Sequence, residues 1–151
     1  MSFENYTIKS QQLIQQAIQV AKTNGQLIID TAHILKAFLI IDDYILSFIS
    51  KELNINTQQL NNTVDAIVQS KPKGSGAEPN LSNKGNAALL QAEKYLKEFG
   101  DEYVTIEHIL LSLIESTDEV GDILKRLGFK KASAIEAIKK LRQGETVKDK
   151  N

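Results

Sequence analysis

The chain has no cysteine among its 151 residues, which excludes a disulfide framework, a thiolate metal site and a cysteine nucleophile. Its two prolines, Pro72 and Pro79, sit in one short stretch, so neither can break a helix elsewhere. No apolar run approaches the ~18 residues that a membrane span needs. The start, Met1-Ser2-Phe3-Glu4-Asn5, has neither the basic nor the apolar region of a secretory signal. These absences lead to the expectation of a soluble, cytoplasmic protein. A formal net charge of −1 gives no global attraction to nucleic acid or to an anionic membrane. No Gly-x-x-x-x-Gly-Lys-Ser/Thr occurs, and no Gly-x-Ser-x-Gly or Ser/His/Asp order is visible. The expectation is a domain with no cofactor and no catalysis of its own.

What the chain does have is repetition. His33 and His108, its only histidines, lie 75 residues apart, and each is followed by Ile-Leu in an apolar helical run. At the same offset Thr7 matches Ser82, Lys9 matches Lys84, Gln16-Ala17 matches Gln91-Ala92, and Gly25 matches Gly100. After a one-residue slip Leu53 meets Leu127 and Val64 meets Ile138. Self-similarity at a fixed period marks a duplicated structural unit.

Each unit reads as four short helices. In the first, Thr7 caps a helix with Leu13, Ile14, Ala17, Ile18 and Ala21 on one face, and Gly25 ends it. Asp30 caps the second, Asp42-Asp43 interrupts it, and Ile45 to Leu53 makes the third. Asn56 with Gln59 opens the fourth. The stretch Lys71 to Pro79 reads as a flexible connector. In the second unit Ser82 opens a helix that Gly100 ends, Thr105 caps the next, and Gly128 stops the third after Leu127. A capping box at Ser133 to Glu136 opens the last. The segment from Glu145 to Asn151 is polar without a periodic face and is expected to be mobile. The fold class is therefore all-α, eight short helices as two similar four-helix repeats. Repeat one spans about 3–70, a connector 71–80, repeat two 81–144, and a linker begins at 145.

The residues with chemistry carry local duties as well. His33 and His108 could be imagined as metal ligands, but no further ligands stand at fixed spacing, and first-turn histidines can fold back around the helix cap. Lys125-Arg126, Lys130-Lys131 and Lys139-Lys140 form the densest basic region; acidic neighbours and missing aromatics make it a solvated face before a nucleic-acid site. Glu107 lies just inside the Thr105 cap, where the helix dipole favours a negative charge. Asp101, in the preceding loop, has no such evident duty. Leu90 falls on an otherwise polar stripe, and Tyr95 and Ile106 are apolar positions less certain to be core.

Thr7-x-Lys9, the Gly25 and Gly100 stops, Asp30-Thr-Ala-His-Ile-Leu and Thr105-Ile-Glu-His-Ile-Leu-Leu-Ser-Leu together resemble the doubled Clp N-terminal repeat of AAA+ chaperones. The likeness runs from about Phe3 to Gly144. Gly100-Asp101-Glu102-Tyr103-Val104 and the ending Leu141 to Val147 are most similar to the ClpB branch, the disaggregases. That resemblance implies a substrate-recognition domain. It would engage unfolded or aggregated polypeptide and pass it to the AAA+ modules of the same chain in a hexamer, where ATP and magnesium belong. It also implies that Thr7, Asp101 and Glu107 support substrate handling; Leu90, Tyr95 and Ile106, read from their places on the helices, are further apolar candidates. The ClpC branch carries a glutamate before both histidines, an arrangement used for phosphoarginine, whereas Ala32 stands at one of those positions here. The alternative is an adaptor-docking domain, as in the ClpA and ClpC branches.

Overall fold

The computed structural model describes residues 3–42 and 44–151, so Met1, Ser2 and the Asp43 half of the expected Asp42-Asp43 break lie outside it. The first repeat holds α1 (Ile8–Thr23), α2 (Thr31–Ile41), α3 (Ile45–Glu52) and α4 (Thr57–Ser70). The second holds α5 (Asn83–Gln91), α6 (Tyr95–Phe99), α7 (Ile106–Glu115), α8 (Glu119–Leu127) and α9 (Lys131–Arg142). The chain is all-α in class, as its periodicity implies.

Three details depart from the sequence reading. The helix expected from Ser82 to Gly100 is broken: Ala92–Lys94 tighten into a 3-10 turn between α5 and α6. Helix α9 begins at Lys131, so Ser133 lies within its first turn and does not cap it. Two short strands also form, β1 (Ile28–Ile29) and β2 (Asn80–Leu81), paired in parallel. They are too short to show alternation in sequence. β2 also ties down the end of the connector, and Gly74 N–H donates to Gly25 O at 3.0 Å.

The strands report the symmetry of the molecule. Adding the 75-residue offset to Tyr6 gives Leu81, and adding it to Ile29 gives Val104. Ile29 pairs with Leu81 in the sheet, and Tyr6 pairs with Val104 in an isolated parallel bridge. These are one contact with the repeats exchanged. The helices obey the same exchange: α3 packs on α9 and α4 packs on α8, while α1 meets α7 and α2 meets α5. The repeats thus bury their apolar faces against each other as a pseudo-two-fold pair. A single core runs through both, from Leu13, Phe38 and Leu60 to Leu89, Leu110 and Phe129. The loops into α2 and α7 start at Gly25 and Gly100, both left-handed, with φ of +66° and +68°.

Candidate functional site

Both histidines close the caps of their helices. Asp30 N–H donates to His33 Nδ1 at 2.9 Å, and Thr105 N–H donates to His108 Nδ1 at 3.0 Å, completing reciprocal capping boxes. Because Nδ1 accepts, the neutral ring carries its proton on Nε2. The repeats differ in what Nε2 meets. His33 Nε2 lies 2.6 Å from Gln26 Oε1, and Gln26 Nε2 donates to Val68 O and Lys71 O at the end of α4. Asp101 occupies the equivalent position in repeat two, one residue after the glycine stop.

That exchange of amide for carboxylate makes the second repeat charged. His108 Nε2 lies 2.8 Å from Asp101 Oδ2, a close contact without aligned hydrogen-bond geometry. Arg142, in the last turn of α9, donates from Nη1 to Asp101 Oδ2 at 2.6 Å and from Nη2 to Glu107 Oε2 at 2.8 Å. Its Nη2 also reaches Thr105 Oγ1 at 3.2 Å. Arg142 thus ties the Asp101 loop, the α7 cap and the end of α9 together. Burial opposes its charge, but hydrogen bonds and attraction from Asp101 and Glu107 outweigh that and raise its pKa. Burial pushes His108 down to about 4; Asp101 pulls it upward, and Arg142 pushes it further down. Phe99 and Tyr95 cover the imidazole, with ring centroids 5.4 and 6.5 Å away.

Asp101 therefore has a structural duty that the sequence does not announce. Its side chain is 0% exposed, held by Arg142 and His108 and accepting from Val147 N–H at 2.8 Å. Thr7 caps α1, accepting from Ser10 N–H at 3.1 Å, while its own N–H donates to Val104 O at 3.0 Å. That second bond brings the start of α1 beside the start of α7. Between them lies a largely apolar groove of about 280 Å³, lined by Thr7, Tyr44, Ile45, Ile106, Glu107 and Val147 among others. Asp42 shapes its outer wall: the carboxylate accepts from the N–H groups of Tyr44, Ile45 and Leu46, starting α3 so that Tyr44 stays 63% exposed.

Of the six residues singled out in sequence, Thr7, Ile106 and Glu107 share this groove, and Asp101 lies buried in the network that holds Glu107. Tyr95 and Leu90 lie apart from it. Tyr95 is buried, its hydroxyl bonded to Glu115, and it lines a polar cleft of about 500 Å³ with Lys84, Lys94 and Lys131. Leu90 is 47% exposed and belongs to neither lining. Arg142, Tyr44 and Val147 were not singled out. None of the three had a local sequence signal, since each meets the site from a distant part of the chain.

The residues 5–127 match the family described as Clp repeat (R) N-terminal domain. The chain belongs to that family. It is 42% identical to the chaperone protein ClpB of Bacteroides thetaiotaomicron over 147 residues, 97% of this chain and 17% of that protein. The ClpB of Porphyromonas gingivalis is 34% identical over the same shares. Among solved structures, the Hsp104 N-terminal domain from Candida albicans superposes with a TM-score of 0.85, at 23% identity, covering 98% of each chain. The chain thus spans about 17% of the length of the curated relatives it matches. This Clp repeat domain is of the kind found at the N-terminus of ClpB-type chaperones. Among the described residues no helix is long and apolar enough to cross a membrane.

Proposed function

We propose that this domain recognises unfolded or aggregated polypeptide for a ClpB-like disaggregase and passes it to an ATP-driven AAA+ ring, without a cofactor of its own. The supporting observation is the groove at the joined starts of α1 and α7. Tyr44 and Ile45 offer apolar surface, Thr7, Glu107 and Ile106, a core residue only 2% exposed, form its floor, and the whole is shallow and open. Such a surface suits segments whose only shared property is exposed apolar side chains. Handing on to AAA+ modules in a hexamer is the part of this reading drawn from the ClpB relatives.

Tyr44 supplies the decisive variant. It is exposed, so Tyr44→Ala is expected to leave thermal stability within about 0.5 kcal/mol of the parent. The domain is grafted onto a ClpB ring, and disaggregation of heat-aggregated luciferase is measured beside the melting temperature. A stable variant with a several-fold slower rate supports the reading. Full activity counts against the groove, and tight one-to-one binding to a folded adaptor with no affinity for unfolded chains would replace the reading altogether.

A further inference from the structure

One wall of the groove is itself a peptide segment, residues 146–151 of this chain, whose Val147 and Asn151 line it. Residues after Gly144 turn back across the loop at Asp101 and the start of α1. Three main-chain contacts of 2.8 Å secure them. Val147 N–H donates to Asp101 Oδ1, Glu102 N–H donates to Val147 O, and Ile8 N–H donates to Lys150 O. Ile8 opens α1, so its N–H is one of the donors that a helix cannot satisfy internally. The side chains of Thr146, Lys148, Asp149 and Lys150 are exposed, and Val147 alone is half-buried. A segment with no apolar periodicity is thus held by its backbone and one valine.

We propose that the surface beneath this segment, which continues the groove, recognises extended polypeptide through its main chain, and that residues 146–150 are its resident occupant, displaced when a client binds. This rests on the substrate-binding reading above and names the chemistry of that recognition. Without the segment, that surface would present two N–H donors, from Ile8 and Glu102, and one carboxylate acceptor, Asp101 Oδ1. Every extended chain carries the complementary carbonyls and amide, whatever its sequence, so such a site tolerates any client that is unfolded. The acceptor stays aimed whether or not the segment is docked, because Arg142 Nη1 donates to Asp101 Oδ2 from inside. The tethered segment competes at high local concentration, which raises the threshold for single weak binders. A client offering many extended segments overcomes it.

Val147→Pro removes the amide that Asp101 Oδ1 accepts and leaves the Arg142 bonds to Asp101 Oδ2 and Glu107 in place. Amide exchange by NMR on the 151-residue chain reads docking directly, and affinity for reduced, carboxymethylated α-lactalbumin reads competition. In the parent, the amides of Ile8, Glu102 and Val147 are expected to exchange slowly. In Val147→Pro those of Ile8 and Glu102 should exchange about tenfold faster or more, with Ile109 inside α7 unchanged. Affinity for the unfolded protein should rise about fivefold, the worth of roughly one net hydrogen bond, and a chain ending at Gly144 should match it. Fast exchange at Ile8 and Glu102 in the parent overturns the proposal, as does unchanged affinity once the segment is released. Absence of binding by all three proteins, with the parent's amides still protected, defeats the substrate-binding reading and this inference with it. That failure is recognisable because docking itself persists.

Discussion

At the scale of single residues, repeat two buries a carboxylate, Asp101, at the position where repeat one has the neutral amide of Gln26. Gln26 satisfies His33 and the carbonyls ending α4 with one neutral amide, whereas Asp101 needs Arg142 to do comparable work at the end of α9. His108 pays for that arrangement in its titration. Burial holds its pKa at about 4 in the fold, against 6.5 when unfolded. Between those values the unfolded chain binds a proton that the folded one does not. Stability is therefore full above pH 6.5 and falls as the pH drops towards 4, by at most about 1.4 kcal/mol per pH unit for this group. His33, also lowered mainly by burial, acts in the same direction. His108→Gln keeps a side chain able to close the capping box but cannot titrate. Urea unfolding from pH 7 to 4.5 is expected to show a shallower loss in this variant than in the parent, and an identical slope would show that His108 does not set it. The capping role of both histidines was legible from their place in the first turn. The charged network was not, because Asp101 meets Arg142 across 41 residues and no local pattern links them.

At the scale of elements, caps and stops were the legible features, and tight turns between helices were not. Thr7, Asp30, Asn56, Ser82 and Thr105 all cap the helices assigned to them, since a side-chain oxygen before an apolar run has one good use. Glycine has two uses, and the sequence does not separate them. Gly25 has φ of +66° with open space where a Cβ would stand, so it serves conformation. Gly121, in α8, would place a Cβ 1.8 Å from Ser116 O, so it serves close approach of α8 to the end of α7. Gly25→Ala is expected to cost about 1 kcal/mol, the strain of one left-handed residue. Gly121→Ala must push α8 away from backbone that cannot rotate aside, and should cost more, roughly 2–3 kcal/mol. Thermal melts of the two variants test the order; a Gly121→Ala melt at or above that of Gly25→Ala contradicts it.

At the scale of the whole molecule, the question is whether two similar repeats make two folding units or one. The 75-residue register shows the duplication but not how the copies meet, since packing between repeats leaves no period in the sequence. The structure joins them at every level. β1 pairs with β2, Tyr6 with Val104, α3 with α9 and α4 with α8. Buried or partly buried polar contacts also cross the seam: Tyr6 Oη donates to Leu89 O at 2.7 Å, Thr31 Oγ1 to Asp118 Oδ2 at 2.7 Å, and Ser82 Oγ to Asp30 Oδ1 at 3.0 Å. A repeat alone would expose one face of α2 or α7 and leave these groups without partners, and a unit of that size has little core to spare. The intact chain should therefore unfold in one cooperative step. Urea transitions followed by far-UV circular dichroism and by tyrosine fluorescence should coincide. Fragments 1–76 and 77–151, cut in the connector, should each be largely unstructured alone and regain helix when mixed. A fragment that is helical and melts cooperatively by itself would show that the repeats are separate folding units joined only by their chain.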